Sequence, residues 1–268
     1  MFKKIRSLIF KFDPEMAHDL AINALKTNIV PVKIKTYQRL KINFLEKEIP
    51  NPIGIAAGFD KNAEVYNSLF KLGFGFVEVG TITPEPQYGN PKPRVFRLEE
   101  DEALINRLGF NNVGSEKASM NINKNTPKGL LGINIGPNKD TKNRLDDYLK
   151  CLRRLNNLSD YITINISSPN TENLRSFHNP KELDELLNAI YEEKNKLNTK
   201  LNFAVKIAPD LKSNDIDVIG NILLKNHIKL VIISNTSDAT RGNLKNINKL
   251  EKGGLSGKPI EEKSNLLI

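Results

Sequence analysis

Several residue types are scarce in this sequence of 268 residues, and each scarcity excludes a class of protein. The single cysteine, Cys151, excludes an internal disulfide and fits a reducing cytoplasm. It stands in a helical pattern, which indicates a packed thiol rather than a nucleophile. There is no histidine pair and no cysteine cluster at metal-ligand spacing, so no metal site is predicted.

Long apolar runs are also lacking. No run approaches the ~20 residues that a membrane-spanning helix needs. The apolar stretch near the start is too short for a secretory signal and is interrupted by Lys11. The sequence therefore predicts no helix that crosses a membrane and no export signal.

The chain carries a net charge of +9, and tryptophan is absent. A basic balance is compatible with nucleic acid, an anionic membrane surface or acidic substrates. The lysines, however, are spread along the chain among many Asn and Ile residues, and no known nucleic-acid motif occurs. A basic binding protein is therefore the weakest alternative.

The first 30 residues have the pattern of a helical hairpin. Apolar residues recur at three- and four-residue spacing from Phe2 to Met16, and Asp13-Pro14-Glu15 has the features of a second helix start. Two interpretations are open. The helices pack on their own domain, which the residues alone slightly favour, or their apolar face contacts lipid while basic residues lie near anionic head groups.

From residue 50 onward, short runs rich in Val and Ile alternate with helical stretches. Strands are predicted at residues 52–57, 75–80, 130–136, 161–167, 203–207 and 230–234, and helices at 63–72, 145–158, 180–197 and 215–226. Residues 81–115 form an insertion with a hairpin around 93–98 and 103–107. The alternation predicts a parallel sheet covered on both faces. Six strands suffice for a doubly wound sheet and are two short of a (β/α)8 barrel.

Each of the last four predicted strands carries a polar residue among apolar neighbours. These residues are Asn134, Asn165, Lys206 and the pair Ser234-Asn235. Because side chains alternate along a strand, each points away from its apolar neighbours, which in a barrel is toward the interior. Hydrogen-bonded core residues are the alternative, but four strands in succession favour a ligand site.

Lys206 gives the most specific indication of a ligand among these residues. A buried ammonium is costly unless it meets an anion or several acceptors. The negative pyrimidine end of a reduced flavin would suit it. A structural Asp or Glu partner is the other interpretation, and Asp210 is near in sequence. Asparagine carboxamides, for their part, match the N–H and C=O groups of a dihydropyrimidine ring. Candidates at strand ends or in loops are Asn106, Asn111, Asn165, Asn170 and Asn235.

Ser168 lies in Ser167-Ser168-Pro169-Asn170, directly after the fourth predicted strand. No local His or Asp completes a hydrolytic triad, and there is no Gly-x-Ser-x-Gly elbow. A hydroxyl at a barrel mouth can act as a nucleophile or base, whereas spacing alone favours a turn former.

Seven segments together resemble the dihydroorotate dehydrogenases: residues 56–61, 80–84, 106–112, 132–136, 165–171, 204–211 and 253–257. The resemblance covers nearly the whole chain. It implies an α/β fold, a (β/α)8 TIM barrel that is incomplete here because the last two strands are missing. An N-terminal helical element for membrane and quinone access (residues 1–36) would precede the FMN-binding barrel (residues 37–268).

The family's functional residues can be carried over onto matching positions. The resemblance implies FMN contacts at Ala57, Gly58, Phe59, Asp60, Lys61, Thr81, Asn134, Asn165, Lys206, Ser234 and Gly257. It implies dihydroorotate contacts at Lys61, Asn106, Arg107, Leu108, Gly109, Phe110, Asn165, Asn170, Asn235 and Thr236. Ser168 is the implied base, with Thr171 and Phe110 shaping a proton path. Since soluble relatives have Cys at this position, Ser168 indicates the quinone-reducing class.

The implied reaction is oxidation of (S)-dihydroorotate to orotate in de novo pyrimidine biosynthesis. Ser168 would remove the C5 proton while the C6 hydride goes to FMN, which a membrane quinone reoxidises. The resemblance also implies a monomer held peripherally on the cytoplasmic face of the cell membrane through residues 1–30, with no nucleic-acid partner. The alternatives are a soluble or NAD-linked FMN barrel acting on a pyrimidine, and an inactive fragment.

Relatives continue beyond the position of Gly257 with two strands that hold the FMN phosphate. We therefore expect this chain alone to bind FMN weakly and to fold poorly.

Overall fold

The computed structural model describes residue 6 and residues 9–29, 35–171, 173–239 and 241–268. Much of the first predicted N-terminal helix lies outside the described residues. The second is present as α1 (Pro14–Lys26) and begins where it was predicted. The Asp13 carboxylate accepts hydrogen bonds from the backbone N–H groups of Glu15 (2.9 Å) and Met16 (3.0 Å), which caps the helix.

Strands and helices alternate through the rest of the chain. The strands are β1 (Ile42–Phe44), β2 (Lys47–Ile49), β3 (Gly54–Ile55), β4 (Phe76–Ile82), β5 (Val95–Leu98), β6 (Ala103–Asn106), β7 (Leu130–Ile135), β8 (Tyr161–Asn165), β9 (Asn202–Lys206), β10 (Leu230–Ile232) and β11 (Gly254–Gly257). The further helices are α2 (Tyr66–Lys71), α3 (Gly114–Lys124), α4 (Arg144–Leu155), α5 (Pro180–Lys196), α6 (Ser213–Lys225) and α7 (Glu261–Asn265). All six predicted core strands and the four predicted helices between them are confirmed, with shifts of a few residues at the ends.

The main sheet decides between the two predicted architectures. Its six parallel strands stand in the order β3-β4-β7-β8-β9-β10, which is their order along the chain. A doubly wound sheet reverses its strand order at a switch point, whereas a barrel adds each strand beside the last. In the described part of the chain the sheet is therefore the six-stranded part of a (β/α) barrel, as predicted.

Two apolar cores lie on the two faces of this sheet. The outer core packs the sheet against the helices and includes the fully buried Ile133, Ile164 and Val205. The inner core is smaller and contains Tyr161 and Ala204, with Ile49 of the β1–β2 hairpin. This hairpin was not predicted, because β1 and β2 are only three residues long. It closes the end of the sheet opposite the carboxyl ends of the strands.

The insertion after β4 contains the predicted hairpin, formed by β5 and β6. A third strand, β11, pairs antiparallel with β6 and was not predicted, because its sequence Gly-Leu-Ser-Gly has little strand character. Helix α3 was also missed. Only four of its residues are buried and two of these are Gly114 and Ser115, so its apolar pattern is weak.

A buried ion pair joins α1 to the insertion. The Arg94 guanidinium contacts the Glu15 carboxylate through Nη2 (2.5 Å) and Nε (3.1 Å). Burial alone would raise the pKa of Glu15, but the hydrogen bond and charge of Arg94 outweigh it and hold that pKa below its usual value. The second N-terminal helix is therefore anchored to the barrel at a defined point.

Two further predictions concern the Cys151 thiol and helices that could cross a membrane. Cys151 is completely buried, and burial raises the pKa of its thiol far above the ordinary value, which confirms a packed thiol. Among the described residues, no helix combines the length and apolar character needed to cross a bilayer.

Candidate active site at the mouth of the barrel

A cavity of about 360 Å³ opens at the carboxyl ends of the parallel strands. Its wall is assembled from the loops that follow β3, β8 and β10, from the ends of β4 and β9, from the insertion and from β11 and the turn after it. The predicted residues that line it are Ala57, Gly58, Lys61, Thr81, Asn106, Leu108, Gly109, Phe110, Asn165, Ser168, Asn170, Lys206, Ser234, Asn235 and Thr236. The volume falls in the range of small-molecule sites.

Six predicted site residues lie outside this lining: Phe59, Asp60, Arg107, Asn134, Thr171 and Gly257. The structure gives several of them other contacts. The Asp60 carboxylate accepts the backbone N–H groups of Glu64 and Val65, each at 2.8 Å. The Phe59 ring packs edge-on against His18 with centroids 5.2 Å apart.

Arg107 is turned away from the cavity. Its guanidinium pairs with Glu251 at 2.6 Å, donates to the carbonyl of Pro93 at 2.9 Å and lies over the Phe96 ring. In this arrangement Arg107 ties β6 to the segment before β11. The other four residues of the 106–110 segment line the cavity.

Asn134 lies directly beneath the cavity. Its Oδ1 accepts hydrogen bonds from Thr81 Oγ1 (2.6 Å) and Asn165 Nδ2 (3.1 Å), both from residues that line the wall. Its Nδ2 donates to Glu78 Oε1 at 2.8 Å. Asn134 therefore fixes the orientation of two lining side chains.

Glu78 is a buried carboxylate inside the barrel that the sequence analysis did not single out. Besides Asn134, it accepts hydrogen bonds from the hydroxyls of Tyr161 (3.0 Å) and Thr163 (2.8 Å). Gly132 makes room for this network, because a Cβ there would lie 2.1 Å from the Tyr161 ring. Hydrogen bonds of this kind are what permit a carboxylate to be buried.

Lys206 ends β9 on the cavity wall and is 9% exposed. Its ammonium makes no hydrogen bond or ion pair with any residue that the structure describes. Burial lowers its pKa below the ordinary value, and the charge of Glu78 only partly opposes this. The predicted alternative partner, Asp210, instead pairs with Arg175 and Lys263. A cation in this state is suited to an anionic ligand.

The amides of Asn165 and Asn235 form a connected patch on the wall. Asn165 Oδ1 accepts from the backbone N–H of Ser167 at 3.2 Å and from its hydroxyl at 3.1 Å. Asn235 Nδ2 donates to Ser167 Oγ at 2.9 Å. These contacts orient both carboxamides before any ligand is present, as a hydrogen-bonding site for a polar ring requires.

Ser168 is 5% exposed and lies in the loop after β8. Its Oγ accepts a hydrogen bond from the backbone N–H of Asn170 at 3.2 Å. No carboxylate or imidazole among the described residues hydrogen-bonds to it, so the arrangement is not that of a hydrolytic triad. The same loop is held from the other side by Asn170 Nδ2, which donates to the carbonyl of Asn106 at 3.0 Å.

Lys61 lies on the boundary between two cavities. The second cavity, about 520 Å³, is bounded by α1 and by the residues around Asp60, Arg94 and Asn111. Lys61 Nζ is 3.2 Å from His18 Nε2. Burial lowers the pKa of both groups, and in each case a neighbouring cation adds to the effect: Arg94 for Lys61, and Lys61 for His18.

Four lining residues were missed as site residues, namely Ala56, Gly80, Ser256 and Ile260, and a fifth, Asn111, was named only among the amides suited to a pyrimidine ring. Asn111 is the most informative, because its Oδ1 is buried and accepts no hydrogen bond from the described residues. Its signal was its place in the 106–112 segment, where the high Asn content of the chain obscured it. Ser256 and Ile260 could not be found, because they reach the wall through the pairing of β11 with β6.

Known proteins are similar to this chain over all or nearly all of its length. A family model described as "Dihydroorotate dehydrogenase" matches residues 39–268. A Nitrosomonas europaea protein named "Dihydroorotate dehydrogenase (quinone)" is 45% identical over 278 aligned positions, which cover 100% of this chain and 81% of that protein. A Brucella ovis protein of the same name is 46% identical over an alignment that covers 98% of this chain and 74% of that protein. An Eimeria tenella DHODH crystal structure in complex with ferulenol has a TM-score of 0.91 at 37% identity, covering 96% of this chain and 75% of that one.

Proposed function

Because the chain belongs to the dihydroorotate dehydrogenase family, we propose that its cavity holds FMN and oxidises (S)-dihydroorotate to orotate, with a membrane quinone as the final oxidant. The activity is that of an oxidoreductase in de novo pyrimidine biosynthesis. The proposal rests on the convergence on one cavity of a buried ammonium that no described residue pairs with, Lys206, a buried hydroxyl, Ser168, and preoriented carboxamides.

The wall fits the isoalloxazine part of FMN. Lys206, which has no ion-pair partner in the described part of the chain, offers a positive charge to the electron-rich pyrimidine end, and Thr81 and Asn165 also line the wall. Gly58 leaves open space, since a Cβ built there would meet no atom within 4 Å, and its φ of +107° favours glycine. When bound, FMN supplies the acceptor for the hydride and passes the electrons on to the quinone.

We assign the base to Ser168. Its hydroxyl oxygen would take the proton from C5 of dihydroorotate while the C6 hydrogen leaves as hydride. An unperturbed serine is a weak base, so its own proton needs an exit. Phe110 on the wall and the buried Thr171 in the same loop are the residues that we propose shape this exit.

The substrate contacts follow from the remaining lining residues. Lys61 is placed to meet the carboxylate of dihydroorotate, and binding an anion there would offset the burial that lowers its pKa. Asn106, Asn170 and Asn235, with the Thr236 segment, offer donors and acceptors to the ring amides.

We place the quinone in the second cavity. It lies against α1 and meets the first cavity at Lys61 and Asn111, which line both. A quinone there would reach the flavin from the side of the N-terminal element. This supports the division into an access element (residues 1–36) and a barrel (residues 37–268).

The oxidant is the most direct test of this assignment. Orotate formation should be rapid with a soluble ubiquinone analogue and far slower with fumarate or NAD⁺. The assay compares the three oxidants at equal concentration with saturating dihydroorotate. If fumarate or NAD⁺ supports the faster rate, the soluble or NAD-linked alternative is correct.

Membrane contact through α1 is a separate proposal. Met16 and Leu20 are 55% and 52% exposed on this helix, and the preceding Phe12 is 41% exposed. Such a face can insert at the head-group boundary. We expect Met16→Glu to weaken co-sedimentation with vesicles of anionic phospholipid by about tenfold, because burial of a methionine is replaced by repulsion.

Met120→Glu is the matched control for that variant, since Met120 is 56% exposed on a different helix, α3. It should bind vesicles like the unmodified protein. Equal loss in the two variants would show that only net charge matters, and no loss in either would refute the contact through α1.

A further inference from the structure

Arg175 is a side chain outside the cavity lining that connects the loops forming the cavity wall. It lies in the short 3-10 turn Leu174–His178 after β8 and is partly buried. Its Nε donates to the carbonyl of Ser167 at 3.1 Å, and its Nη2 donates to the carbonyl of Thr236 at 2.9 Å. Its Nη1 contacts the carboxylates of Asp210 (3.1 Å) and Asp238 (2.8 Å).

These four contacts belong to three consecutive loops of the barrel. Ser167 follows β8, Asp210 follows β9, and Thr236 and Asp238 follow β10. A guanidinium is planar and rigid, so its donors hold their acceptors at fixed mutual positions. No lysine could make these contacts together, since its single ammonium carries only three donors on one atom.

Asp210 reinforces the same junction. Its carboxylate also accepts hydrogen bonds from the Ser237 hydroxyl (2.6 Å) and from Lys263 (2.7 Å). The cation–carboxylate pair thus binds the loop after β10 through both its backbone and its side chains. Through Asp210, the loop after β9 therefore contacts both the loop after β8 and the loop after β10.

The residues fixed in this way are the immediate neighbours of proposed catalytic groups. Ser167 precedes Ser168, the proposed base, and Thr236 follows Asn235, a proposed ring contact. Asn235 Nδ2 and Ser167 Oγ are in turn joined at 2.9 Å. Arg175, which lies outside the cavity lining, therefore helps to fix the distance between the Ser168 hydroxyl and the Asn235 carboxamide.

We propose that Arg175 is a positioning residue for proton abstraction, which holds the Ser168 loop and the Asn235–Thr236 loop in register across the cavity. The inference rests on the proposed function, since it takes Ser168 as the base. Lys61, Asn106 and Asn111, which also face the substrate, receive no contact from Arg175 among the described residues. Asn170, Asn235 and Thr236, by contrast, lie on the two loops that Arg175 holds, so its loss should lower kcat strongly and orotate affinity by a smaller factor.

The test uses Arg175→Lys and Arg175→Ala in the flavin-loaded full chain. We expect kcat for dihydroorotate oxidation to fall by on the order of 100-fold, the effect of a misplacement of about 1 Å between reacting groups. The dissociation constant of orotate, from titration of the flavin absorbance, should rise by less than about tenfold, since the contacts from Lys61 and Asn106 remain while those from Asn170, Asn235 and Thr236 are disturbed. Millimolar guanidinium should partly restore kcat in Arg175→Ala, while sodium at equal ionic strength should not.

Arg153→Ala is the matched control. Arg153 makes a similar guanidinium–carboxylate pair with Glu193 (2.7 Å), but it joins α4 to α5 on the outside of the barrel. It should leave kcat unchanged and show no response to guanidinium.

The outcomes separate the possibilities. Unchanged kcat in both Arg175 variants overturns the inference. So does an equal loss of kcat and orotate affinity without guanidinium rescue, or a fall in thermal stability that accounts for the lost activity, because each indicates a merely structural role. If the unmodified protein, loaded with flavin, does not oxidise dihydroorotate at all, the proposed function fails instead, and the two failures are thereby distinguished.

Discussion

Replacing Ser168 by alanine is expected to lower kcat for dihydroorotate oxidation by a factor on the order of 100 to 10,000, the range attributed to a positioned general base. Substrate affinity should change little. The Ser168 hydroxyl makes one described hydrogen bond, to the Asn170 backbone, and Asn170 is independently held by Asn106. The readout is steady-state kcat and KM with a quinone as oxidant.

Ser168→Cys should restore part of the activity and change its pH dependence in a defined direction. A base must be deprotonated to act, so kcat rises as pH rises through its pKa. An unperturbed thiol has a pKa of about 8.5, far below that of an aliphatic hydroxyl. The cysteine variant should therefore reach its plateau at lower pH than the serine protein.

Ser119→Ala serves as the control, because Ser119 is on α3 and its hydroxyl bonds, among the described residues, only to the backbone of its own helix. It should behave like the unmodified protein. Full activity in Ser168→Ala would refute the base assignment, whatever the result with cysteine.

Substitution of Lys206 by methionine is expected to weaken FMN binding but to stabilise the flavin-free protein. Lys206→Met should lower FMN affinity by on the order of 100-fold, the cost of removing a charged hydrogen-bond partner in a buried site. In the flavin-free protein the same change should raise the free energy of unfolding, because it replaces an unpaired buried ammonium by an apolar chain of similar length. Fluorescence titration measures the first and thermal unfolding the second.

Lys196→Met is the appropriate control, since Lys196 is exposed in the last turn of α5. It should alter neither quantity appreciably. A destabilised flavin-free Lys206→Met protein would mean that the ammonium has a stabilising protein partner, and unchanged FMN affinity would remove Lys206 from the cofactor site.

Much of the barrel could be predicted, because a parallel strand covered on both faces leaves a strong local pattern. The runs at 130–136 and 161–167 are nearly continuous apolar segments, and each is fully buried as β7 and β8. An asparagine within each run stands out against its apolar neighbours for the same reason. Asn165 lines the cavity, and Asn134 supports it from below.

What could not be predicted depends on contacts between distant segments. β11 is a strand because β6 offers it an edge some 150 residues earlier in the chain, not because its four residues favour extension. Arg107 and Asp60 stand in the right segments, yet their side chains turn to Glu251 and to backbone amides. Arg175 was invisible for a similar reason, since its role is set by three loops that only the folded barrel brings together.

The central claim is that this cavity transfers hydride from dihydroorotate to a bound flavin. Anaerobic mixing of the flavin-loaded protein with (S)-dihydroorotate tests it most directly, with the flavin absorbance followed in a stopped-flow instrument. We expect complete bleaching of the flavin absorbance with one orotate formed per flavin, and return of the colour when a quinone is added. A flavin that remains oxidised in the presence of excess dihydroorotate would contradict it.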